Sequence, residues 1–260
     1  MPSRSHSSSL IWGITTILLF GHAIILINTG GIKSNYSDLE EFRPEFPRPL
    51  FGGLPNQIRL PHLEKPGKPR LSFKAAKGTE IISKGAAVTS SDTLPLIGEL
   101  SYVTDGDKEG TEGSYVELMY GTQWVQIDLG KTSELWAIIV WHHHTHYPAY
   151  RDVVIQVSDD PDFKKNIVTV FNNDHDNSSG LGMGSDPAYV ETNHGRIIEP
   201  KAITGRYIRL YSNGSTMSLA NHYVEVEVWG KPNPTLWNHL RSFFMKRSAS
   251  ALGPGQHPQR

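Results

Sequence analysis

The sequence contains no cysteine in its 260 residues, and it has no excess of charge of either sign. The missing thiols exclude disulfide bonds, thiolate zinc sites and cysteine nucleophiles. The 25 basic residues nearly balance the 26 acidic ones, so the net charge is −1. Because domains that bind nucleic acids usually present a basic face, this balance argues against a nucleic-acid partner.

The motifs of several common enzyme classes are also absent from the sequence. It contains no GxSxG elbow, no P-loop and no HExxH metal motif. Residues 180–184 are rich in glycine, but their spacing differs from that of nucleotide-binding loops. The adjacent carboxylates of Asp159 and Asp160 lie in a turn-like segment, where such side chains are usually solvated. We therefore expect a protein without catalytic activity.

One long apolar run occurs, near the N-terminus. It covers residues 10–28 and follows a polar segment at 1–9, in which Arg4 is the one full charge. A run of about 18 apolar residues is at the lower limit for a helix that crosses a bilayer. No small-residue cleavage motif follows it. The sequence therefore predicts a membrane anchor or a signal segment at 10–28, and with it an extracytoplasmic protein.

Two further segments lack the pattern of a folded domain. Residues 29–72 are rich in proline and show no sustained apolar period, which predicts an extended linker. Residues 231–260 begin with prolines that end the preceding strand. Thr235 is placed to cap a short helix that ends near Arg247, and a disordered tail is expected after it.

Residues 73–230 consist of short β-type runs separated by Gly, Asp, Asn and Pro. Apolar and polar residues alternate along 125–129, and no helical period lies between the runs, a pattern typical of an antiparallel sandwich or barrel. Arg206 and Arg209 share one run, and we expect them to pair with carboxylates such as Asp128. The predicted strands are Glu80–Ile82, Tyr115–Met119, Trp124–Leu129, Leu135–Trp141, Val153–Ser158, Ile167–Phe171, Arg206–Tyr211 and Tyr223–Trp229.

Six motifs of this region occur in a characteristic order. They are AVTSSD at 87–92, VTDGD at 103–107, QWVQIDLG at 123–130, VVIQVSDD at 153–160, GRYIRL at 205–210 and EVEVWG at 225–230. The series resembles the discoidin domain, also called the coagulation factor five/eight C-terminal type, of the galactose-binding-like superfamily. The resemblance implies an all-β, antiparallel jelly-roll β-sandwich. It also implies that loops at one end bind ligands, usually sugars and sometimes lipid head groups or proteins.

A histidine-rich segment follows the strand that ends at Trp141, where the resemblance places a ligand loop. His142, His144 and His146 would share one face of an extended segment, a spacing that can also chelate zinc or copper. A third interpretation buries His142 and His144 in the sandwich as hydrogen-bonded residues. For sugar recognition, the candidates that offer hydrogen bonds and a stacking face are His144, His146, Tyr147, Tyr150 and Arg151.

A second polar loop covers residues 172–186. Its amides and carboxylates, notably Asn173, Asp174 and Asp176, can bind sugar hydroxyls or calcium. The spacing differs from that of an EF-hand loop, so the type of metal site is not specified. The alternative is a solvated loop stiffened by Asx turns, because Asn and Asp also dominate ordinary loops.

The motif at 103–107 includes Asp105, Gly106 and Asp107. Discoidin-like carbohydrate modules often hold a structural calcium ion at this place, closed by a glutamate of the last strand, which here is Glu225. Thr111 lies one residue later than the threonine that accompanies the motif. The alternative is an Asp-Gly turn stabilised by Asx hydrogen bonds.

These patterns predict a non-catalytic, extracytoplasmic binding module. Its ligand is expected to be a carbohydrate or glycoconjugate bound through the loops at one end of the sandwich. The alternative is a protein–protein adhesion module, or a structural module of a cell-envelope assembly. A membrane contact is expected only through the N-terminal apolar segment.

Overall fold

The computed structural model describes residues 17–20, 23–26, 39–50, 58–65, 67–200 and 202–232 of the chain. They belong to two compact units, Met1–Asp38 and Leu39–Arg260. In the first unit, β1 (Ile17–Phe20) and β2 (Ala23–Leu26) pair as antiparallel strands. The described residues include no helix that is long and apolar enough to cross a bilayer. The anchor or signal segment at 10–28 stays a prediction.

The second unit contains a large antiparallel sheet that curls into a sandwich. The strands of this unit are β3 (Leu39–Phe42), β4 (Phe73–Ala76), β5 (Glu80–Ile81), β6 (Ala87–Ser90), β7 (Val116–Leu118), β8 (Gln123–His142), β9 (Val154–Ser158), β10 (Val168–Asn172), β11 (Arg196–Ile198), β12 (Ile203–Ser212) and β13 (Asn221–Pro232). The order of the main strands in the large sheet is β10-β9-β12-β8-β13-β5, with β6 and β11 beside β8 and β7 beside β13. A short 3₁₀ helix, Leu100–Thr104, precedes β7.

The 20-residue strand β8 organises the sheet. Its first part pairs with β6 and β12, and its second part pairs with β11 and β13. Near Ser133, both β12 and β13 pair with β8, so the strand passes there from one layer of the sandwich to the other. The sequence predicts two separate strands, 124–129 and 135–141. The structure joins them through Gly130, whose φ of 74° suits a residue without a side chain.

The main core lies between the two layers. Ile127, Ile138, Ile208 and Val226 are fully buried in it, one or more from each long strand. Burying a side chain of this size contributes about 1.5–3 kcal/mol relative to leaving it in water. The core therefore stabilises the domain without disulfide bonds, as expected for a chain that lacks cysteine.

A second apolar cluster lies on the opposite face of β8 and β13 and includes Phe73, Trp141 and Val224. It is covered by residues 39–47, which we call the N-terminal strap. Phe42 of the strap stacks on Phe73 with 5.7 Å between ring centroids, and Phe46 lies 6.4 Å from the ring of Trp141. The structure thus differs from the predicted extended linker, because part of that segment pairs with β4 and packs on the sandwich.

The two arginines of β12 have different partners. Arg206 forms a bidentate ion pair with Asp128, with distances of 2.7 and 2.9 Å, as predicted. The hydrogen bond from Arg206 lowers the pKa of the Asp128 carboxyl below its usual value. Arg209 instead donates to the side-chain oxygen of Gln126 at 2.8 Å and lies over the ring of Trp124. The carboxylate predicted for Arg209 is therefore replaced by an amide and an aromatic face.

The prediction of an all-β antiparallel sandwich is confirmed by this architecture. Each of the predicted strands overlaps an observed strand, whereas the sequence patterns predict no strand at the positions of β1, β2, β3, β4, β6 and β11. The C-terminal helix predicted at 235–247 lies outside the described residues.

Candidate functional site

A pocket of about 260 Å³ lies where the long strands of the sandwich end. Three segments form its wall. They are the residue that precedes β7, the loop that follows β8, and the loop between β12 and β13 together with His222 near the start of β13. The aromatic and imidazole rings of the wall belong to Tyr115, His143, His146, Tyr150 and His222.

Three of these rings pack against one another. Tyr115 and His143 lie 4.5 Å apart, measured between ring centroids, and His222 lies 5.7 Å from Tyr115 and 5.8 Å from His143. These separations are in the range that aromatic pairs prefer, so the rings support each other's orientation. They form a rigid, partly apolar wall to which a flat ligand face can bind.

The imidazole of His222 is fixed by hydrogen bonds at both nitrogens. Its Nδ1 lies 3.1 Å from the hydroxyl of Tyr150, and its Nε2 lies 3.0 Å from a carboxylate oxygen of Glu117. Burial raises the pKa of Tyr150 well above its usual value, so the phenol stays protonated and its O–H donates a hydrogen bond to Nδ1 of His222. The Nε2–H of His222 then donates to Glu117, which determines the tautomer.

The half-buried imidazole of His143 and the buried imidazole of His222 are uncharged at neutral pH. Burial, reinforced by the neighbouring His222, His144 and His146, lowers the pKa of His143 to about 4. Burial also lowers the pKa of His222, and this effect outweighs the opposite effect of the Glu117 carboxylate. The pocket therefore presents neutral donors and acceptors to a ligand.

Small polar and apolar groups complete the wall. The hydroxyl of Thr145 lies 3.1 Å from Nε2 of His143, and Ser218 accepts a hydrogen bond from the Ala220 N–H at 3.1 Å. Pro148 and the exposed Met217 add apolar surface. Hydroxyls next to rings and a thioether allow both hydrogen bonding and contact with C–H groups.

Of the residues predicted for the first ligand loop, some line the pocket and others do not. His146 and Tyr150 line the pocket. His144 is buried and its Nε2 lies 3.0 Å from the Lys108 carbonyl, so the interpretation as a buried hydrogen-bonded residue is confirmed for it. Tyr147 lies in the turn after His146, with φ of 52°, and its N–H donates to the His144 carbonyl at 3.2 Å. It is not among the residues of the pocket wall.

Arg151 holds the neighbouring loop instead of lining the pocket. Its guanidinium donates to the Ser215 carbonyl, and its backbone N–H donates to the Gly214 carbonyl at 3.0 Å. His142 is also buried, with its Nδ1 2.6 Å from Glu191 and its ring stacked under Tyr150 at 4.3 Å. This confirms the buried interpretation of His142. Histidines form no group of three converging metal ligands in the described ranges.

Sequence patterns gave no signal for several residues of the pocket. His222 is the second residue of β13 and lies directly before the predicted strand Tyr223–Trp229, and Tyr115 precedes β7. His143 belongs to the histidine-rich segment but was not among the candidates for sugar recognition, and its ring lines the pocket directly after the end of β8. Ser215, Met217 and Ser218 reach the pocket only because the loop between β12 and β13 folds beside it.

The second polar loop is tied together by its own side chains. Asn173 accepts the Val153 N–H at 2.7 Å, and Asp174 is fully buried, accepting the Ser179 N–H at 2.9 Å. Burial raises the pKa of Asp174, but hydrogen bonds from Ser179 and its neighbours more than offset this, and the pKa lies below its usual value. Asp176 is exposed and accepts the Ser178 N–H at 3.0 Å.

Asp152 connects this loop with the loop next to the pocket. Its Oδ2 accepts hydrogen bonds from Ser178 at 2.9 Å and from the side chain of Asn213 at 2.8 Å. Carboxylate oxygens of Asp152, Asp174 and Asp176 lie within 4.8 Å of one another. In the described ranges, this is the one group of three side chains that is close enough to hold a metal ion. The residues of the polar loop do not line the pocket.

The motif predicted for calcium forms two Asx turns beside a cavity of about 120 Å³. Asp105 accepts the Asp107 N–H at 2.7 Å, and Asp107 accepts the Glu109 N–H at 2.9 Å. Glu225 is buried and accepts the Gly106 N–H at 2.9 Å. Burial, with contributions from the nearby carboxylates of Asp105 and Glu227, raises the pKa of Glu225 to about 8. The side-chain oxygens of Asp105, Asp107 and Glu225 do not all converge within 4.8 Å.

No protein-family model and no curated protein matches the chain. Among solved structures, the CBM32 module of AlyQ in complex with 4,5-unsaturated mannuronic acid is 20% identical, with 57% of this chain and 95% of that one covered and a TM-score of 0.42. Chitosan-binding module 1 of a chitosanase/glucanase from Paenibacillus sp. IK-5 is 20% identical, with 58% and 99% covered and a TM-score of 0.42. The Streptococcus pneumoniae fucose-binding module SpX-3 is 19% identical, with 57% and 96% covered and a TM-score of 0.41. The chain is similar to these modules, and its assignment to the discoidin type stays a prediction.

Proposed function

We propose that this chain is a non-catalytic carbohydrate-binding module of the galactose-binding-like type. The observation that carries the proposal is the composition of the pocket wall. Packed rings of Tyr115, His143 and His222 stand beside the hydroxyls of Thr145 and Ser218. A sugar ring presents hydroxyls at its edge and C–H groups on its faces, so such a wall matches both surfaces.

The hydroxyl groups of the wall can both donate and accept hydrogen bonds. The hydroxyl of Ser218 accepts the Ala220 N–H and retains its own proton for a ligand oxygen. His222 has both ring nitrogens engaged, so it offers the ligand a fixed ring face. Binding without catalysis is supported because Glu117, a carboxylate next to the wall, accepts a hydrogen bond from His222.

A structural calcium ion is part of the proposal. Glu225 is buried close to Asp105 and Glu227, and only Glu227 has an ammonium partner, Lys108 at 2.6 Å. A cation near the Glu225 carboxylate would offset the remaining negative charge, and oxygen ligands of this kind suit calcium. The extracytoplasmic location is also proposed, on the basis of the apolar run at 10–28.

A protein–protein adhesion module is the second candidate function. Exposed apolar side chains in the loop between β12 and β13 favour it, since Met217, which lines the pocket, and Leu219 are 62% and 69% exposed. Exposed apolar side chains that lie close together often mark interaction surfaces. A protein partner whose binding is unaffected by free sugars would support this candidate over the first.

A glycan array probed with the full-length protein tests the proposed function. We expect binding to a restricted set of glycans, and a loss of at least tenfold in affinity for His146→Ala, which truncates an exposed side chain at the pocket. The matched control is His62→Ala, the same change at an exposed position outside the pocket. Binding to no glycan at all, or equal losses for both variants, contradicts the proposal.

A further inference from the structure

The pocket has an unusual electrostatic property for a site that binds polar ligands. Its wall consists of rings, hydroxyls, a proline and a thioether, without an ammonium, guanidinium or carboxylate group. The imidazoles of the half-buried His143 and the buried His222 are neutral at neutral pH because desolvation lowers their pKa values. His146 lies at the exposed rim.

Several charged side chains around the pocket form hydrogen bonds or ion pairs within the protein. Glu117 accepts a hydrogen bond from His222 on the side away from Tyr150. Arg151 directs its guanidinium to the Ser215 carbonyl, which holds the loop between β12 and β13 in place. Lys108 is paired with Glu227. None of these four charged groups belongs to the pocket wall, so a charged ligand would find no counter-ion there.

Loss of hydration disfavours a charged ligand in this pocket. A carboxylate that leaves water for this pocket loses part of its hydration and gains only neutral partners. A hydroxyl in the same position exchanges hydrogen bonds with water for equivalent ones with Thr145 or Ser218. Two sugars that differ only in this group will therefore differ in affinity in favour of the neutral one.

We propose that the pocket selects neutral saccharide residues and rejects the same ring when it carries a carboxylate. This inference rests on the proposed function, because it names the class of sugar that the same site takes. The expected preference for a hexose over the matching uronic acid is at least tenfold, which corresponds to about 1.4 kcal/mol. A cation introduced at Met217 should weaken this preference, because the residue lines the pocket and its side chain is 62% exposed.

The experiment is an NMR titration of the full-length protein with three pairs of free sugars: galactose and galacturonate, glucose and glucuronate, mannose and mannuronate. A pH of about 8 keeps ordinary imidazoles neutral. The same titrations are repeated with Met217→Arg, which adds a cation at the pocket. The matched control is Met183→Arg, at an exposed methionine outside the pocket wall.

We expect at least one hexose to bind, its uronate to bind at least tenfold more weakly, and Met217→Arg alone to reduce this difference by at least tenfold. A uronate that binds as tightly as its hexose overturns the inference but leaves carbohydrate binding intact. If neither member of any pair binds and the glycan array is also blank, the proposed function fails and the inference fails with it.

Discussion

At the scale of single residues, the chain Glu117–His222–Tyr150 shows how burial and hydrogen bonding compete. Burial disfavours the charged imidazole of His222, whereas the Glu117 carboxylate at 3.0 Å favours it. The lowered pKa of His222 means that burial has the larger effect. The carboxylate nevertheless limits the size of the shift.

Replacing Glu117 by Gln should therefore lower the pKa of His222 further. The amide keeps the shape and one hydrogen-bond acceptor, but it removes the negative charge that stabilises the imidazolium. An NMR titration of the His222 ring protons measures the change. The matched control is Glu99→Gln at an exposed position, which should leave this titration as it is. A rise in the pKa of His222 in the Glu117 variant would contradict the assigned balance.

Glu225 makes the stability of the fold depend on pH. Its carboxyl has an ordinary pKa of 4.5 in the unfolded chain and about 8 in the folded protein. Between these values the folded state holds the proton and the unfolded state does not, so stability falls as the pH rises, by at most about 1.4 kcal/mol per pH unit. Glu225→Gln should flatten this part of the profile.

Urea unfolding between about pH 5 and pH 8 measures the effect, with the linkage relation setting the expected slope. Glu80→Gln, which changes an exposed carboxylate, should keep the wild-type slope. A profile for Glu225→Gln that declines as steeply as the wild type would show that this carboxyl is ionised in the folded protein throughout the range.

The proposed calcium ion gives the same residue a second expected effect. Calcium binds the ionised carboxylate and must displace the proton that Glu225 retains below about pH 8, so added calcium should raise the Tm more at pH 8 than at pH 5. Chelation with EDTA should reverse the gain, and Glu225→Gln should lack it. Equal stabilisation of wild type and variant would place the ion elsewhere, for instance at Asp152, Asp174 and Asp176.

At the scale of secondary-structure elements, the N-terminal strap stabilises the face of the sandwich that the core does not use. Phe46 lies 6.4 Å from the ring of Trp141 and 5.3 Å from that of His194. Asn193 donates to the Pro47 carbonyl at 2.7 Å, which fixes the end of the strap. Without this cover, the aromatic cluster around Trp141 would be exposed to solvent.

Phe46→Ala should lower the free energy of unfolding by about 2 kcal/mol, because it removes a half-buried ring from an aromatic cluster. Urea unfolding of the full-length protein measures the loss. Leu50→Ala truncates an apolar side chain that is 38% exposed and should cost far less. Equal effects of the two substitutions would mean that the strap contributes little to stability.

The strap also shows what the sequence could predict and what it could not. The alternation of apolar and polar residues predicts the core strands, because every second residue, such as Val125 and Ile127, faces the same core. Phe42 and Phe46 stand among prolines without a period, and their partners lie far along the chain. Local patterns therefore gave no indication that this segment packs on the domain.

The same limit applied to the candidate site. Tyr150 and His146 were predicted because they follow a recognisable strand motif in the sequence. Tyr115 and His222 were missed because they meet only through the pairing of β7 with β13, which is a long-range contact. Sequence patterns locate strands and turns, but the composition of a pocket depends on which ends of strands the fold brings together.

At the scale of the whole molecule, the chain combines a folded unit that starts at Leu39 with an N-terminal unit that contains the apolar run. The predicted role of that run is to tether or export the proposed binding module. A run of about 18 apolar residues is at the lower limit for a helix that crosses a bilayer. Arg4, before the run, favours an N-terminus on the inner side, so the residues after the run are expected on the outer side.

Deleting residues 1–38 should therefore change the location of the protein but leave its fold unchanged. We expect the full-length chain to sediment with membranes and to resist extraction by high salt, since apolar insertion is insensitive to ionic strength. The chain that starts at Leu39 should stay in the soluble fraction with the same circular dichroism. The matched control is deletion of the polar residues 248–260, which should keep the wild-type distribution. Full-length protein that is processed near residue 28 and released would identify a cleaved signal segment, and full-length protein in the cytoplasm would contradict the predicted export.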